Sequence, residues 1–200
     1  MGLTSDYKDG QTPLNEEEKE GLKIKTIATH QELDEFEQQN IEAALGWLMK
    51  KKISSELFLS EKFIKELHAK MFGSVWLWAG TFRKSNKNIG VEWRTIAVDL
   101  KKLFDDCFYW LENKTFSEEE IAIRFKHRVV FIHPFPNGNG RLSRLMADVM
   151  MEKVFKKPVF SWGGININTD NKLYLKAIRE ADQGNFKPLI KFSKSKNNNI

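Results

Sequence analysis

A single, mainly α-helical domain with one small β-hairpin is what this 200-residue chain predicts. Three observations carry that prediction. Apolar residues recur at three- and four-residue spacing through several long stretches, which is the period of a helix with one buried face. Acid-rich capping signals stand in front of two of those stretches. The segment 73–95 breaks the helical period and sets Gly73, Gly80 and Gly90 among β-branched and aromatic residues, the composition of a loop with a short hairpin.

The elements follow in order. Residues 1–12 show no period and read as irregular. Asn15-Glu16-Glu17-Glu18 forms a capping box that opens a short helix, and Gly21 can close it. A longer helix is predicted from about Glu32 to Lys51, with Leu33, Phe36, Ile41, Ala44, Leu45 and Leu48 as its apolar positions. Another spans roughly Ser60 to Phe72, with Phe63, Leu67 and Met71 on one stripe. Helical spacing resumes from about Ile96 to Glu112, where Leu100, Leu103, Phe104, Cys107 and Leu111 line up. Ser117-Glu118-Glu119-Glu120 is the second capping box, and the helix after it turns Ile121, Phe125, Val129 and Ile132 inward. That helix must stop near His133, because Pro134 disfavours helical dihedrals just before it. The next runs from about Gly140 to Phe155 on Leu142, Leu145, Met146 and Val149, with Pro158 beyond its end. A last helix or helix pair covers about Asn171 to Lys194. Lys191 to Lys196 adds charge, and Asn197 to Asn199 read as a solvated tail.

Composition bounds the function. The length suits one compact domain with a substantial core. Hydrophobic and charged fractions of 41% and 30% are ordinary for a globular protein. No apolar run approaches the roughly 20 residues of a membrane span, and Met1 to Lys25 is too polar for a signal peptide. Cys107 is the only cysteine, so no internal disulfide forms, which fits a reducing cytoplasm. On its apolar stripe it reads as a core thiol rather than a nucleophile. The net charge of +5 favours an acidic partner or a nucleotide. No helix-turn-helix, zinc-finger or RNA-binding fingerprint is present, so nucleic acid is not indicated.

The chemistry concentrates in His133-Pro-Phe-Pro-Asn-Gly-Asn-Gly-Arg-Leu-Ser-Arg144. His133 is a potential base. Gly138-Asn139-Gly140 can bring backbone amides close to an anion, and the helix that follows adds the positive end of its dipole. Arg141 and Arg144 are three apart, so they project from one side of that helix and can share a polyphosphate. Asn139 can brace the turn or contact phosphate. Phe135 reads as a buried anchor of the loop. Taken singly, each of these residues has a bland explanation; their order together points to chemistry on a phosphate.

That order resembles the signature of the Fic (Fido) family, His-x-Phe-x-acidic-Gly-Asn-Gly-Arg-x-x-Arg, matched here by His133, Phe135, Gly138, Asn139, Gly140, Arg141 and Arg144. Trp78-Ala79-Gly80-Thr81-Phe82-Arg83 to Asn88-Ile89-Gly90 resembles the stretch leading into the family's substrate flap. Tyr174 to Phe192 resembles its closing helix. The likeness covers about residues 35 to 192, and the whole is similar to small stand-alone bacterial members known as "mobile mystery protein B". It implies a Fic-type helical bundle with a β-hairpin flap, as an N-terminal extension with a short regulatory helix (1–30), a Fic domain (31–194) and a tail (195–200).

The resemblance also implies an activity: transfer of AMP from ATP to a Ser, Thr or Tyr hydroxyl of a target protein, with Mg²⁺. His133 then takes the hydroxyl proton, Gly138, Asn139, Gly140, Arg141 and Arg144 hold the phosphates, and the flap residues Asn88, Ile89, Gly90 and Val91 pair with the target main chain. Tyr174 matches the family's late aromatic near the nucleotide, although packing on the closing helix explains it equally well. The family's acidic Mg²⁺ ligand is Asn137 here, an amide that brings no charge. Many relatives are held off by a glutamate that pairs with the second motif arginine. Glu20 is the first candidate for that role and Glu37 a weaker one, while Asp148, four residues after Arg144, can tether that arginine locally. Two other readings stay open. One is phosphotransfer or use of another nucleotide, although the intact Gly-Asn-Gly-Arg argues against the Doc-like version. The other is a catalytically weak scaffold acting as a binding module, with an antitoxin as partner.

Overall fold

A computed structural model describes residues 15–164 and 171–195. The irregular segment 1–12 and the tail Asn197 to Asn199 expected from the sequence lie outside the described residues. Helices dominate, as the spacing predicts. They are α1 (Glu16–Glu20), α2 (His30–Lys50), α3 (Ser55–Phe58), α4 (Glu61–Phe72), α5 (Ile96–Asn113), α6 (Glu118–Ile132), α7 (Asn139–Val149), α8 (Asn171–Asp182) and α9 (Lys187–Lys194). Only the four-residue α3 has no counterpart in the sequence reading.

The starts are chemical. Asn15 and Glu18 close a reciprocal capping box on α1, as Thr29 and Glu32 do on α2. Ser60 and Ser117 accept backbone N–H groups at the heads of α4 and α6. Each such cap satisfies donors that the helix itself cannot. α7 continues into one wide turn, Met150–Val154, in which the Phe155 N–H reaches the Met150 carbonyl at 3.0 Å.

α6 lies at the centre, packed on α7 and α5, while α2 packs on α4 and α8 on α9. Ile121, Phe125, Val129 and Ile132 of α6 are buried, as are Leu142 and Met146 of α7 and Phe63, Leu67 and Met71 of α4. Each large side chain buried this way contributes roughly 1.5–3 kcal/mol. α2 departs from its predicted face. Leu33, Ala44 and Leu48 are buried, but Phe36 and Leu45 are 37% and 42% exposed, and the remaining core position goes to Glu37, only 3% exposed. A carboxylate tolerates that place because it has two donors there, described below.

The N-terminal segment is stitched into the body. Leu22 and Trp76 form an antiparallel bridge flanked by Lys23 N–H to Val75 O and Leu77 N–H to Gly21 O, both 2.8 Å. Leu22 and Ile27 are buried. Among the described residues, no helix is long and apolar enough to cross a membrane.

The expected β-hairpin does not form. Residues 84–92 make an irregular loop, because its two arms pair with other groups instead of with each other. The Val91 N–H goes to Ile132 O at 3.3 Å, the Val91 and Ser85 carbonyls accept from the Arg83 guanidinium, and the Trp93 N–H goes to the Asn86 side chain at 2.9 Å. With those backbone groups spent, no ladder remains to be built.

Cys107 is fully buried, and burial pushes its thiol well above the ordinary range. A thiol reagent such as DTNB should therefore leave native protein unmodified and react stoichiometrically in denaturant. Rapid reaction of native protein would contradict this packing.

Candidate active site

α6 ends in a left-handed residue that is not glycine. His133 has φ 54° and ψ 59° and caps the helix by donating its N–H to Val129 O at 3.1 Å. This conformation costs an L-residue on the order of 1–2 kcal/mol. It turns the chain sharply into Pro134 and keeps the imidazole 95% buried, at 5% exposure, beside the following turn. Nδ1 lies 3.3 Å from Val130 O. A carbonyl can only accept, so Nδ1 carries the hydrogen and Nε2 the lone pair. Burial, chiefly, together with the nearby charges of Arg83 and Lys87, lowers the imidazole pKa to about 4. The ring is neutral at physiological pH and able to accept a proton at Nε2.

The turn after it is clamped. Asn139 is 1% exposed; its Oδ1 accepts the Phe135 N–H at 2.9 Å and its Nδ2 donates to Phe135 O at 2.8 Å. Both polar groups of this side chain therefore brace the loop, leaving phosphate contact to its backbone. Gly138 sits at φ 78°, and a Cβ there would approach Phe72 to 2.6 Å. Glycine at 138 is thus demanded by conformation and by the core beneath it. A Cβ on Gly140 would meet nothing nearer than Arg144 Nη1 at 3.8 Å, so this glycine faces the open side of the turn. α7 begins here, with its unpaired N–H groups directed into the turn.

The two arginines diverge in their partners. Arg141 Nη1 is 2.5 Å from Glu37 Oε2, and its guanidinium lies 4.8 Å from the Phe72 ring centroid. Arg144 lies 5.7 Å from the Tyr174 ring centroid. Tyr174 is held from behind by the buried Lys126, whose Nζ donates to its hydroxyl, and by Phe192 at 5.4 Å. Asp148 does not tether Arg144. Its carboxylate accepts from Trp162 Nε1 at 2.9 Å and from the Phe160 N–H at 3.1 Å, and burial raises its pKa to about 6.

The remaining predicted residues lie at the rim. Asn88, Ile89 and Gly90 are exposed at the tip of the loop, with Val91 half-buried behind them. Glu20 is exposed at the end of α1; the acid that reaches a motif arginine is Glu37. Glu18, on α1 with Glu20, turns inward to an ion pair with Lys87 of the loop. Asn137 Oδ1 accepts the Gly138 N–H, and its carbonyl faces His68. Among the described residues no group of three or more His, Cys, Asp or Glu side chains is placed to hold a metal.

Three buried polar residues frame the site: His68 and Arg83 escape a sequence reading, and Glu37, the weaker candidate to pair with the second motif arginine, pairs instead with the first. Glu37 accepts from Trp76 Nε1 at 2.5 Å while pairing with Arg141. His68 on α4 accepts the Gly80 N–H at Nδ1 (2.9 Å), which leaves Nε2–H to donate to Asn137 O at 3.1 Å. Its ring stacks on Phe135 with centroids 3.8 Å apart, and burial lowers its pKa to about 3. Arg83, 2% exposed, donates to the His133 carbonyl at 2.7 Å. A polar residue at a core position of an amphipathic helix was the available signal for Glu37 and His68; Arg83 offered none beyond its place in the flap-like stretch.

Residues 58–151 match the Fic/DOC family model. Protein adenylyltransferase Fic of Aedes aegypti is 27% identical over 172 residues, 84% of this chain and 32% of that protein. The chain thus spans about a third of that relative's length. Fic-1 of C. elegans superposes with a TM-score of 0.61 at 25% identity, over 78% of this chain and 45% of that one. A BepC protein from Bartonella tribocorum, solved with bound AMPPNP, gives 0.66 at 16% identity over 95% and 94% of the two chains.

Two measurements check the polar framework. His68 is neutral in the fold, while the unfolded chain takes up a proton near the ordinary 6.5. The unfolded state therefore binds more protons between about 6.5 and 3, and stability should fall as pH drops through that window. His133 and His127, also lowered by burial, act with the same sign. Urea midpoints at pH 7, 5 and 4 should decline less steeply in His68→Gln than in wild type. Glu37→Gln keeps an acceptor for Trp76 and loses the charge facing Arg141. It should cost about 1–3 kcal/mol in urea unfolding and weaken ATP binding in calorimetry, whereas an inhibitory glutamate would give tighter binding on removal.

Proposed function

We propose, because residues 58–151 match the Fic/DOC family model, that the chain is a protein adenylyltransferase that moves AMP from ATP to a hydroxyl side chain of a target protein. One observation carries this reading: a neutral imidazole, with its lone pair on Nε2, stands at the entrance to a turn of backbone donors heading α7. ATP would lay its phosphates over Gly138–Gly140, with Arg141 and Arg144 to either side. The target oxygen attacks the α-phosphorus, the bond to the β-bridging oxygen breaks, and pyrophosphate leaves. His133 Nε2 takes the hydroxyl proton. The loop Asn88–Val91 would bear the target's main chain.

Magnesium fits this chain poorly as a protein-held ion. Asn137 offers a neutral amide whose oxygen already accepts the Gly138 N–H. We infer that any Mg²⁺ enters on the ATP phosphates as part of the substrate. That same substitution favours the second reading, a weak scaffold that binds an antitoxin and turns over little. In the first reading the protein works in the cytoplasm, where ATP is abundant and Cys107 stays reduced. Calorimetry with ATP separates the two, since a scaffold that has lost its nucleotide site gives no heat.

Incubation of the protein and a cell lysate with ATP labelled at the α-phosphorus should mark a protein band, while γ-labelled ATP should not; labelling by γ alone would assign phosphotransfer. His133→Ala should lower the α-label by roughly 10²–10⁴-fold. The reaction requires the neutral ring, so the rate should fall only as pH drops toward about 4. A decline already centred near 6.5 would show a solvated base and overturn this picture of the site.

A further inference from the structure

We propose that Arg83 is a positioning residue that couples the target-bearing loop to the general base, so that the seat for the target and the placement of His133 are set by one guanidinium. The proposal rests on the adenylyl-transfer reading of the same site.

The bonds of this side chain end on carbonyls of two segments. Nε donates to His133 O at 2.7 Å, and Nη2 also approaches Ile132 O at 3.5 Å. Nη1 donates to Ser85 O at 2.8 Å and Nη2 to Val91 O, one on each arm of the loop. The Arg83 N–H adds a bond to Pro134 O at 3.0 Å, just past the base. The planar fork is therefore the common support of both loop arms and of the left-handed turn carrying the imidazole. No ammonium could reproduce it, because a lysine brings one point donor where three nitrogens now act. The loop also touches the base directly. A Cβ on Gly90, at φ 97°, would come within 2.7 Å of His133 Cβ and 2.9 Å of Arg83 Nη2. Pressure on the loop tip is thereby transmitted to the two groups that define the base.

A residue that merely stabilised the fold would affect ATP binding and proton transfer alike. A coupling residue leaves the phosphate turn intact, since Asn139 and His68 hold that turn independently. The test uses the whole chain with Arg83→Lys and, from the loop side, Gly90→Ala, each checked for cooperative unfolding. Three readouts are taken: the calorimetric Kd for ATP, the rate of α-label transfer to lysate proteins, and the pH titration of the His133 ring by NMR. We expect less than a threefold change in Kd, at least a tenfold loss of transfer, and a His133 titration moved upward by a unit or more as the ring loosens into solvent. Full transfer by Arg83→Lys with an unmoved titration overturns the proposal. So does a Kd that worsens in parallel with transfer. Should wild type bind ATP but label nothing, the functional reading fails, and the His133 titration in the two variants alone decides whether Arg83 positions the base.

Discussion

The left-handed turn at His133 is the constraint on which the site depends. A helix ending in any ordinary conformation would carry the imidazole on past the phosphate turn. Here the chain reverses at one residue: the His133 N–H keeps its helical bond to Val129 O, and the cost of the unfavourable dihedral pair is offset by the bond that Arg83 donates to the His133 carbonyl. Proline at 134 then fixes the exit direction. Because Val130 O accepts from Nδ1, the same turn also selects the tautomer that leaves a lone pair on Nε2. Conformation, orientation and protonation state thus come from one short piece of backbone.

Around that turn buried polar side chains interrupt the apolar core, each satisfied by backbone or by another side chain. Asn139 clamps Phe135, His68 joins Gly80 to Asn137, and Glu37 ties Trp76 to Arg141. Each is nearly fully buried, where an unmet hydrogen bond would cost about 1–3 kcal/mol. The partners of His68 and Glu37 lie on other segments, so those bonds also fix distances between stretches far apart in the chain. Such a framework leaves the turn 134–140 little freedom to collapse, the rigidity that the proposed transfer asks of its backbone donors.

The flanks behave differently. The loop 84–92 uses its backbone groups on Arg83, Ile132 and Asn86 rather than on a ladder of its own. Its tip, Asn88 to Gly90, stays exposed. α1 reaches the same loop through the Glu18–Lys87 ion pair and the Trp78 indole, which donates to Glu18 O at 3.0 Å. The N-terminal segment is consequently part of the wall beside the loop.

Most of the helices were legible in the sequence because capping, period and proline placement are local effects, expressed within a few residues of the side chains that cause them. The order His133 to Arg144 was legible for the same reason: base, turn and helix start are contiguous. The resemblance it carried anticipated the family model that matches residues 58–151 and the helical bundle. The exposed Phe36 and buried Glu37, the missing hairpin and the roles of His68 and Arg83 were not legible, since each depends on partners contributed by other elements. By itself the sequence determined which candidate groups are present and in what order they lie. Only the tertiary structure decided which of them are neutral, which arginine is tied and to what, and where the loop's hydrogen bonds go, because burial and long-range pairing exist only once the chain has closed on itself.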